Sequence, residues 1–115
     1  MLITALKSKI HRATVTATEL DYEGSIAIDK KLLQSAQILV NEQVQVLNLN
    51  TGGRFVTYAI EAEENSGQIC LNGPAARLGR KGDLVIIIAY CHLTLDEMKS
   101  HKPIIIRVDE SNRPL

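Results

Sequence analysis

Apolar residues fall in short stretches that are typical of strands. Four stretches, 13–18, 44–47, 55–60 and 84–89, are rich in β-branched residues and bounded by turn residues. The stretch 55–60 mixes apolar and polar positions, which indicates one face toward a core and another toward a site. The stretch 84–89 has no polar side, so it should be covered on both faces or lie in a subunit interface. We expect a mainly β protein.

Helices should be short and few. Asp29 can cap a helix over 30–36, and Thr94 begins the spacing of a capping box for another. A third helix can form over 74–78, because proline is tolerated at the first helical position. The Asn-Thr-Gly-Gly segment at 50–53 predicts a hairpin turn between two strands. These helices would decorate a β framework.

Two segments of the chain resemble each other. Residues 36–46 and 76–86 each run from a short helical stretch through a polar turn into a strand. Chance similarity is one explanation. The other is a duplicated strand and helix unit that closes into a small pseudo-symmetric barrel, which would also remove exposed sheet edges.

Composition narrows the classes of function. The 115 residues, of which 45% are hydrophobic, fit one domain over 1–115 with a modest core. Thirteen basic and thirteen acidic residues cancel, so no bulk charge attracts nucleic acid or an anionic membrane. The aromatic residues are too few for a base-stacking platform: Tyr22, Phe55, Tyr58 and Tyr90.

The cysteines and the apolar runs indicate a cytoplasmic protein. Cys70 and Cys91 are far apart and have no zinc-ligand spacing, which favours free buried thiols. The amino end reaches Lys7 before a signal-peptide core could form. The longest apolar run, 84–90, is much shorter than a membrane helix.

The dipeptide Gly24-Ser25 suggests that the chain cuts itself. A serine hydroxyl can attack the preceding carbonyl and convert the peptide bond to an ester when the backbone is strained, and glycine makes such a geometry accessible. Elimination would leave dehydroalanine at position 25, which hydrolyses with loss of ammonia to a pyruvoyl group. The products would be chains 1–24 and 25–115.

A pyruvoyl ketone can replace an external cofactor. It condenses with a substrate amine and accepts the electron pair released when a carboxylate leaves as carbon dioxide, the role that pyridoxal phosphate has elsewhere. This chemistry needs a cation for a substrate carboxylate, a proton donor for the carbanion and polar groups for orientation. Neither a metal nor pyridoxal phosphate is required.

Several blocks in order make the chain recognisable. They are KIHR at 9–12, YEGSIAID at 22–29, NE at 41–42, GRFVTYAI at 53–60, NGPAA at 72–76 and GDLVII at 82–87. Together they resemble the pyruvoyl-dependent L-aspartate α-decarboxylases, which make β-alanine for pantothenate synthesis. The resemblance implies a double-psi β-barrel and a homotetramer with active sites between neighbouring subunits.

The resemblance also implies residue roles. Ser25 is the pyruvoyl precursor that forms the Schiff base, Tyr58 is the proton donor, and Arg54 holds a substrate carboxylate. Lys9 is expected to reach in from the adjacent subunit, and Thr57 to act in both processing and substrate contact. The complete set of further positions that contact substrate or line the pocket is Lys9, His11, Tyr22, Thr57, Asn72, Gly73 and Ala75.

Each role has an ordinary structural alternative. Arg54 beside a turn can be a solvated strand end, and Tyr58 can be a packing residue with a wet tip. His11 can be a spectator, and Asn72 with Gly73 can be a plain turn. A departure from the family pattern is Pro74, which has no backbone N–H to offer a substrate. Gly73 and Ala75 retain theirs.

Two other functions remain open from sequence. The chain could be an oligomeric barrel that has lost catalysis and serves as an interaction module, although such a barrel would have no reason to keep Ser25, Arg54 and Tyr58 together. It could also decarboxylate another acidic amino acid, such as glutamate. That alternative keeps the machinery and changes only the pocket.

Overall fold

The computed structural model describes residues 1–115 and confirms the mainly β fold. Its strands are β1 (Leu2–Thr14), β2 (Ala17–Glu19), β3 (Ser25–Asp29), β4 (Gln43–Asn48), β5 (Arg54–Ala62), β6 (Ile69–Asn72), β7 (Leu84–Thr94) and β8 (Ile104–Arg107). Its helices are α1 (Lys30–Ala36), α2 (Leu95–Met98) and one 3-10 helix (Gly73–Arg77). None of the helices is both long and apolar enough to cross a membrane.

All eight strands belong to one mixed sheet. The order is β2-β6-β3-β5-β4-β7-β1-β8, with β2/β6, β3/β5 and β1/β8 parallel and the other pairs antiparallel. A cluster of 18 buried apolar residues, contributed by β1, β3 to β7 and α1 among others, forms the core. This arrangement is consistent with a β-barrel.

The two similar segments lie side by side. The first leads from α1 into β4, and the second from the 3-10 helix into β7. These strands pair antiparallel, with Val46 opposite Ile87 and Leu47 opposite Ile86. The strands that follow from the two segments are therefore antiparallel neighbours in the sheet.

The strand prediction for 13–18 is wrong in its bounds. The backbone leaves the β1 ladder at Val15, whose N–H donates to the carbonyl of Asp83, and a separate short strand then starts at Ala17. Strand β1 begins as early as Leu2, and its register shifts twice against β7. One shift includes Arg12, whose φ of 63° breaks the alternation that would reveal a strand.

Local capping signals are confirmed. The Asp29 carboxylate accepts the N–H of Lys31 at 2.8 Å and caps α1, and Thr94 forms a complete capping box with Glu97 at α2. The hairpin between β4 and β5 turns at 49–53, where the Asn48 side chain accepts two backbone N–H groups. The third helix forms as a 3-10 helix with proline in its first turn.

One face of β7 is only partly covered in the single chain. Val85, Ile87 and Ala89 are buried in the core, whereas Ile86 and Ile88 point outward and are half-buried. The face continues onto neighbouring strands, where Val56 of β5 is 60% exposed. We expected this apolar strand to be covered on both faces or to lie in a subunit interface. The single chain does not cover both faces completely.

Asp29 should be critical for stability. Besides capping α1, it accepts the N–H groups of Asn65 and Gly67 at 2.9 Å while almost fully buried. Asp29→Ala leaves these donors without partners, and we expect a loss of about 2–4 kcal/mol in unfolding free energy. Chemical denaturation at fixed protein concentration measures it. The exposed Asp96→Ala is the control, with a change of at most about 1 kcal/mol; equal losses in both variants would contradict the assignment.

Candidate active site around Gly24 and Ser25

Ser25 is the first residue of β3 and is completely buried. It pairs directly with Asn72 at the end of β6. On its other side, β3 runs parallel to β5 with Ile26 opposite Ala59, so Ser25 is placed beside Tyr58. The sheet thus joins the end of β6, the start of β3 and the middle of β5 at one point.

The Ser25 hydroxyl has a defined hydrogen-bond environment. Asn72 Nδ2 donates to Ser25 Oγ at 3.0 Å, and Ser25 Oγ lies 3.5 Å from the carbonyl oxygen of Glu23, to which it can donate a long hydrogen bond. Asn72 itself is buried and accepts a hydrogen bond from the Cys70 thiol at 3.3 Å. The donor from Asn72 occupies one lone pair of Oγ and leaves another for attack on a neighbouring carbonyl.

Gly73 is required by the packing at this site. Its φ is +63°, and a Cβ there would lie 2.8 Å from both the Gly24 nitrogen and the Tyr22 carbonyl oxygen. Gly24 differs, because its φ is not positive and an added Cβ would make an ordinary 3.6 Å contact with Pro74. The structure therefore does not show the strained left-handed backbone that glycine would permit at position 24.

A cavity of about 330 Å³ opens beside Gly24. Its lining residues are Gly24, Phe55, Val56, Thr57, Tyr58, Asn72, Pro74, Ala75 and Leu78. Five of the predicted site residues are among them. Two others, Ser25 and Gly73, directly follow the lining residues Gly24 and Asn72 in the sequence. Pro74 lines the wall with its ring, so this wall is more apolar than one with an exposed N–H.

Tyr58 and Arg54 share the outward face of β5. Inward positions of this strand, such as Phe55 and Ala59, pack on the core, whereas Tyr58 is 37% exposed and Arg54 is exposed. Tyr58 follows Arg54 by four positions, which is about 13 Å along a strand. Arg54 does not line the cavity around Ser25.

The remaining predicted residues lie farther away in the same chain. Lys9 and His11 are on β1, which β4 and β7 separate from β5, or about 14 Å across the sheet. Lys9 pairs with Ile88, and His11 with Arg107. Tyr22 lies in the loop before Gly24 with its side chain exposed. The cavity of one chain therefore contains none of these side chains.

The environment of His11 is cationic. Desolvation and the charges of Lys9, Arg107 and Arg12 lower its pKa below the usual value for histidine. The His11 Nδ1 atom is buried without a hydrogen-bond partner. None of these cations takes part in either ion pair of the chain, which are Lys7–Glu42 and Lys99–Asp96. Asp109 and Glu110 line the same cavity of about 440 Å³ as His11, Arg12 and Arg107, so acidic side chains also face this cluster of cations.

A larger cavity of about 840 Å³ lies beside α1, away from Ser25. Its lining includes Lys7, Leu33, Leu39 and Glu61, and none of the predicted site residues. The smaller cavity is the better candidate for an active site, because it adjoins a buried serine hydroxyl to which Asn72 donates a hydrogen bond. No group of three or more His, Cys, Asp or Glu side chains is placed to hold a metal ion.

Comparisons with known proteins agree on one family. The family model described as aspartate decarboxylase matches residues 1–115. A protein named aspartate 1-decarboxylase from Caldicellulosiruptor saccharolyticus is 60% identical over 113 residues, covering 98% of this chain and 88% of its own length. Proteins of the same name from Thermoanaerobacter pseudethanolicus and Caulobacter vibrioides are 58% and 55% identical, covering 96% and 97% of this chain and 94% and 95% of their own lengths.

The lowered pKa of His11 can be tested by titration. We expect NMR titration of the His11 ring to give a pKa below about 6.5, the usual value. Arg107→Gln removes one of the repelling charges and should raise the His11 pKa part of the way back. Arg80→Gln removes a cation that does not act on His11 and should leave it unchanged. An unaltered His11 pKa in Arg107→Gln would contradict this description of the site.

Proposed function

The chain belongs to the aspartate decarboxylase family, and from that premise we propose that it converts L-aspartate to β-alanine and carbon dioxide with a pyruvoyl group made from Ser25. The decarboxylation of aspartate, a carboxy-lyase reaction, follows from the family and from the relatives at 55–60% identity. The family also implies that the β-alanine supplies pantothenate synthesis. The observation that best supports the pyruvoyl mechanism is the buried Ser25 hydroxyl, oriented by Asn72 beside a cavity.

Self-cleavage is the first step of the proposal. Ser25 Oγ attacks the Gly24 carbonyl carbon, the Gly24–Ser25 peptide bond breaks, and the hydroxyl proton passes to the released nitrogen. Loss of the residue 25 α-proton then breaks the Cβ–Oγ bond and frees the Gly24 carboxylate. Water adds to the resulting dehydroalanine and ammonia leaves, so that residue 25 ends as a ketone.

The surroundings of Ser25 fit a small carbonyl group. Residue 25 is buried, Asn72 presents an N–H donor to it, and the Gly73 backbone is held against the segment that must be released. Once formed, the ketone accepts a substrate amine and serves as the electron sink for loss of carbon dioxide.

The residues of the cavity then have distinct tasks. Tyr58 carries a weakly acidic hydroxyl beside residue 25, and we assign it the return of a proton to the substrate carbon. Thr57, Asn72, Gly73 and Ala75 orient the substrate. Pro74 contributes shape only, because it has no N–H.

Substrate charge requires residues from outside the cavity of one chain. Aspartate carries two carboxylates, and Arg54 suits a bidentate contact with one of them. Arg54, Lys9 and His11 all point outward from the sheet, on the face that leaves Val56 uncovered. A neighbouring subunit packed on this face would bring Lys9 and His11 to Ser25 and bury its apolar side chains. We therefore propose a homotetramer with active sites between subunits, lined also by Tyr22.

The alternatives carry less support. Relatives that share nearly the whole chain are named as enzymes, which disfavours a non-catalytic interaction module. Decarboxylation of glutamate is disfavoured because the relatives are named aspartate 1-decarboxylases. We also propose a cytoplasmic location, because the thiols of Cys70 and Cys91 are free.

Intact-mass analysis tests the cleavage. Wild-type protein should yield fragments 1–24 and 25–115, the latter blocked at its amino end, and should release carbon dioxide from aspartate faster than from glutamate. Ser25→Ala removes the nucleophile and should stay one chain of 12.7 kDa without activity. Ser35→Ala, in α1, is the matched control and should cleave normally. Decarboxylation by an uncut chain, or by Ser25→Ala, would refute the mechanism.

Subunit mixing tests the shared site. Ser25→Ala should be inactive, and Lys9→Ala should bind aspartate roughly tenfold more weakly because a charge-assisted contact is lost. Co-expression of the two gives some sites with a processed residue 25 from one subunit and Lys9 from the other. Activity of this mixture at low aspartate should exceed the sum of the two parents. A strictly additive result would place Lys9 outside a shared site.

A further inference from the structure

The Cys70 thiol donates a hydrogen bond to Asn72, the residue whose amide donates to Ser25. Cys70 and Asn72 are two residues apart on β6, so their side chains lie on the same face of the strand. Cys70 Sγ is 3.3 Å from Asn72 Oδ1, and Asn72 Nδ2 is 3.0 Å from Ser25 Oγ. All three side chains are buried, with exposed fractions of 4%, 4% and 0%.

The register leaves Asn72 as the only polar partner of the thiol. Cys70 pairs with Ala17 on β2 and with Ala27 on β3, and neither methyl side chain can hydrogen-bond. Cys70 makes no other side-chain hydrogen bond. Small neighbours on both sides leave room for sulfur and keep its hydrogen bond directed along the strand.

The thiol keeps its proton under ordinary conditions. Burial and the nearby Glu19 carboxylate both raise the pKa of Cys70. A protonated thiol is a weak donor, and the atom it faces is the amide oxygen of Asn72. Donation to Oδ1 selects the amide orientation in which the NH₂ group faces Ser25. The reversed amide would present an acceptor to Ser25 and would draw the hydroxyl proton toward Asn72.

We propose that Cys70 is a positioning residue for self-cleavage, which acts by fixing the Asn72 amide so that its NH₂ group donates to Ser25 Oγ. This inference rests on the proposed function and adds a residue to it. With the amide fixed, Oγ keeps a lone pair for the Gly24 carbon, and the Glu23 carbonyl oxygen 3.5 Å away can accept its proton. The proposed role requires the S–H group as a hydrogen-bond donor, whereas a cysteine that only packed in the core would contribute only its volume.

Cleavage kinetics of Cys70 variants test the proposal. After pulsed synthesis, the fraction of uncut chain is followed by intact mass. Cys70→Ala and Cys70→Val both lack the donor and should cleave roughly three- to tenfold more slowly, as expected for the loss of one modest hydrogen bond. Cys70→Ser restores a donor and should recover most of the rate. The other free thiol provides the control, because Cys91→Ala on β7 should cleave at the wild-type rate.

A double variant separates positioning from packing. If Cys70 acts through Asn72, then Cys70→Ala combined with Asn72→Ala should cleave no more slowly than Asn72→Ala alone. A packing defect would instead slow cleavage further in the combined variant. Circular dichroism and thermal unfolding identify any variant that fails to fold, and the Val and Ser variants then carry the comparison because both keep a branched or polar group of similar size.

The outcomes distinguish this inference from the proposed function. If wild-type chain stays uncut, the proposed function fails. If wild type is cut but Cys70→Ala and Cys70→Val are cut equally fast, only the role of Cys70 is overturned. Failure of Cys70→Ser to cleave faster than Cys70→Val, or additive effects with Asn72→Ala, would also overturn it.

Discussion

The close approach of Gly73 to the segment before Ser25 is the contact on which the site depends. A Cβ at position 73 would fall within 2.8 Å of two backbone atoms in that segment, so the turn after β6 can press on it only through a glycine. The same turn ends the strand that carries Asn72. Backbone packing therefore sets the distance between the Asn72 amide and the Ser25 hydroxyl, and the proposed chemistry at Ser25 would depend on this steric fit.

The pairing of β3 with its two neighbouring strands also positions Ser25. Antiparallel pairing with β6 and parallel pairing with β5 hold Ser25 between the strands that carry Asn72 and Tyr58, although the three residues are distant in sequence. The buried β3 leaves the Gly24–Ser25 bond at the end of a rigid strand, where it adjoins the cavity. Cleavage there would separate two fragments that the sheet still holds together, because residues before Gly24 remain in β1 and β2.

Sequence patterns predicted the local features well. The helix capped by Asp29, the capping box at Thr94 and the hairpin at 50–53 depend on neighbours in the chain, and all are confirmed. The early start of β1 was missed, because charged residues and the bulge at Arg12 hide its alternation. The i, i+2 spacing of Cys70 and Asn72 in a strand could have suggested that their side chains are in contact. The pairing of Asn72 with Ser25 could not be predicted in this way, because it joins strands that are distant in sequence. The proposed roles of Lys9 and His11 at Ser25 would need a second subunit, because in one chain β4 and β7 separate β1 from β5.

The central claim is that Ser25 becomes a carbonyl group, and a carbonyl trap on purified protein tests it most directly. Treatment with an aromatic hydrazine followed by mass spectrometry should add one hydrazone to fragment 25–115, at residue 25, and the treated protein should lose its activity toward aspartate in proportion. The fragment should lack a free amino end before treatment. An active protein whose residue 25 remains an unmodified serine, with no adduct, would contradict the account.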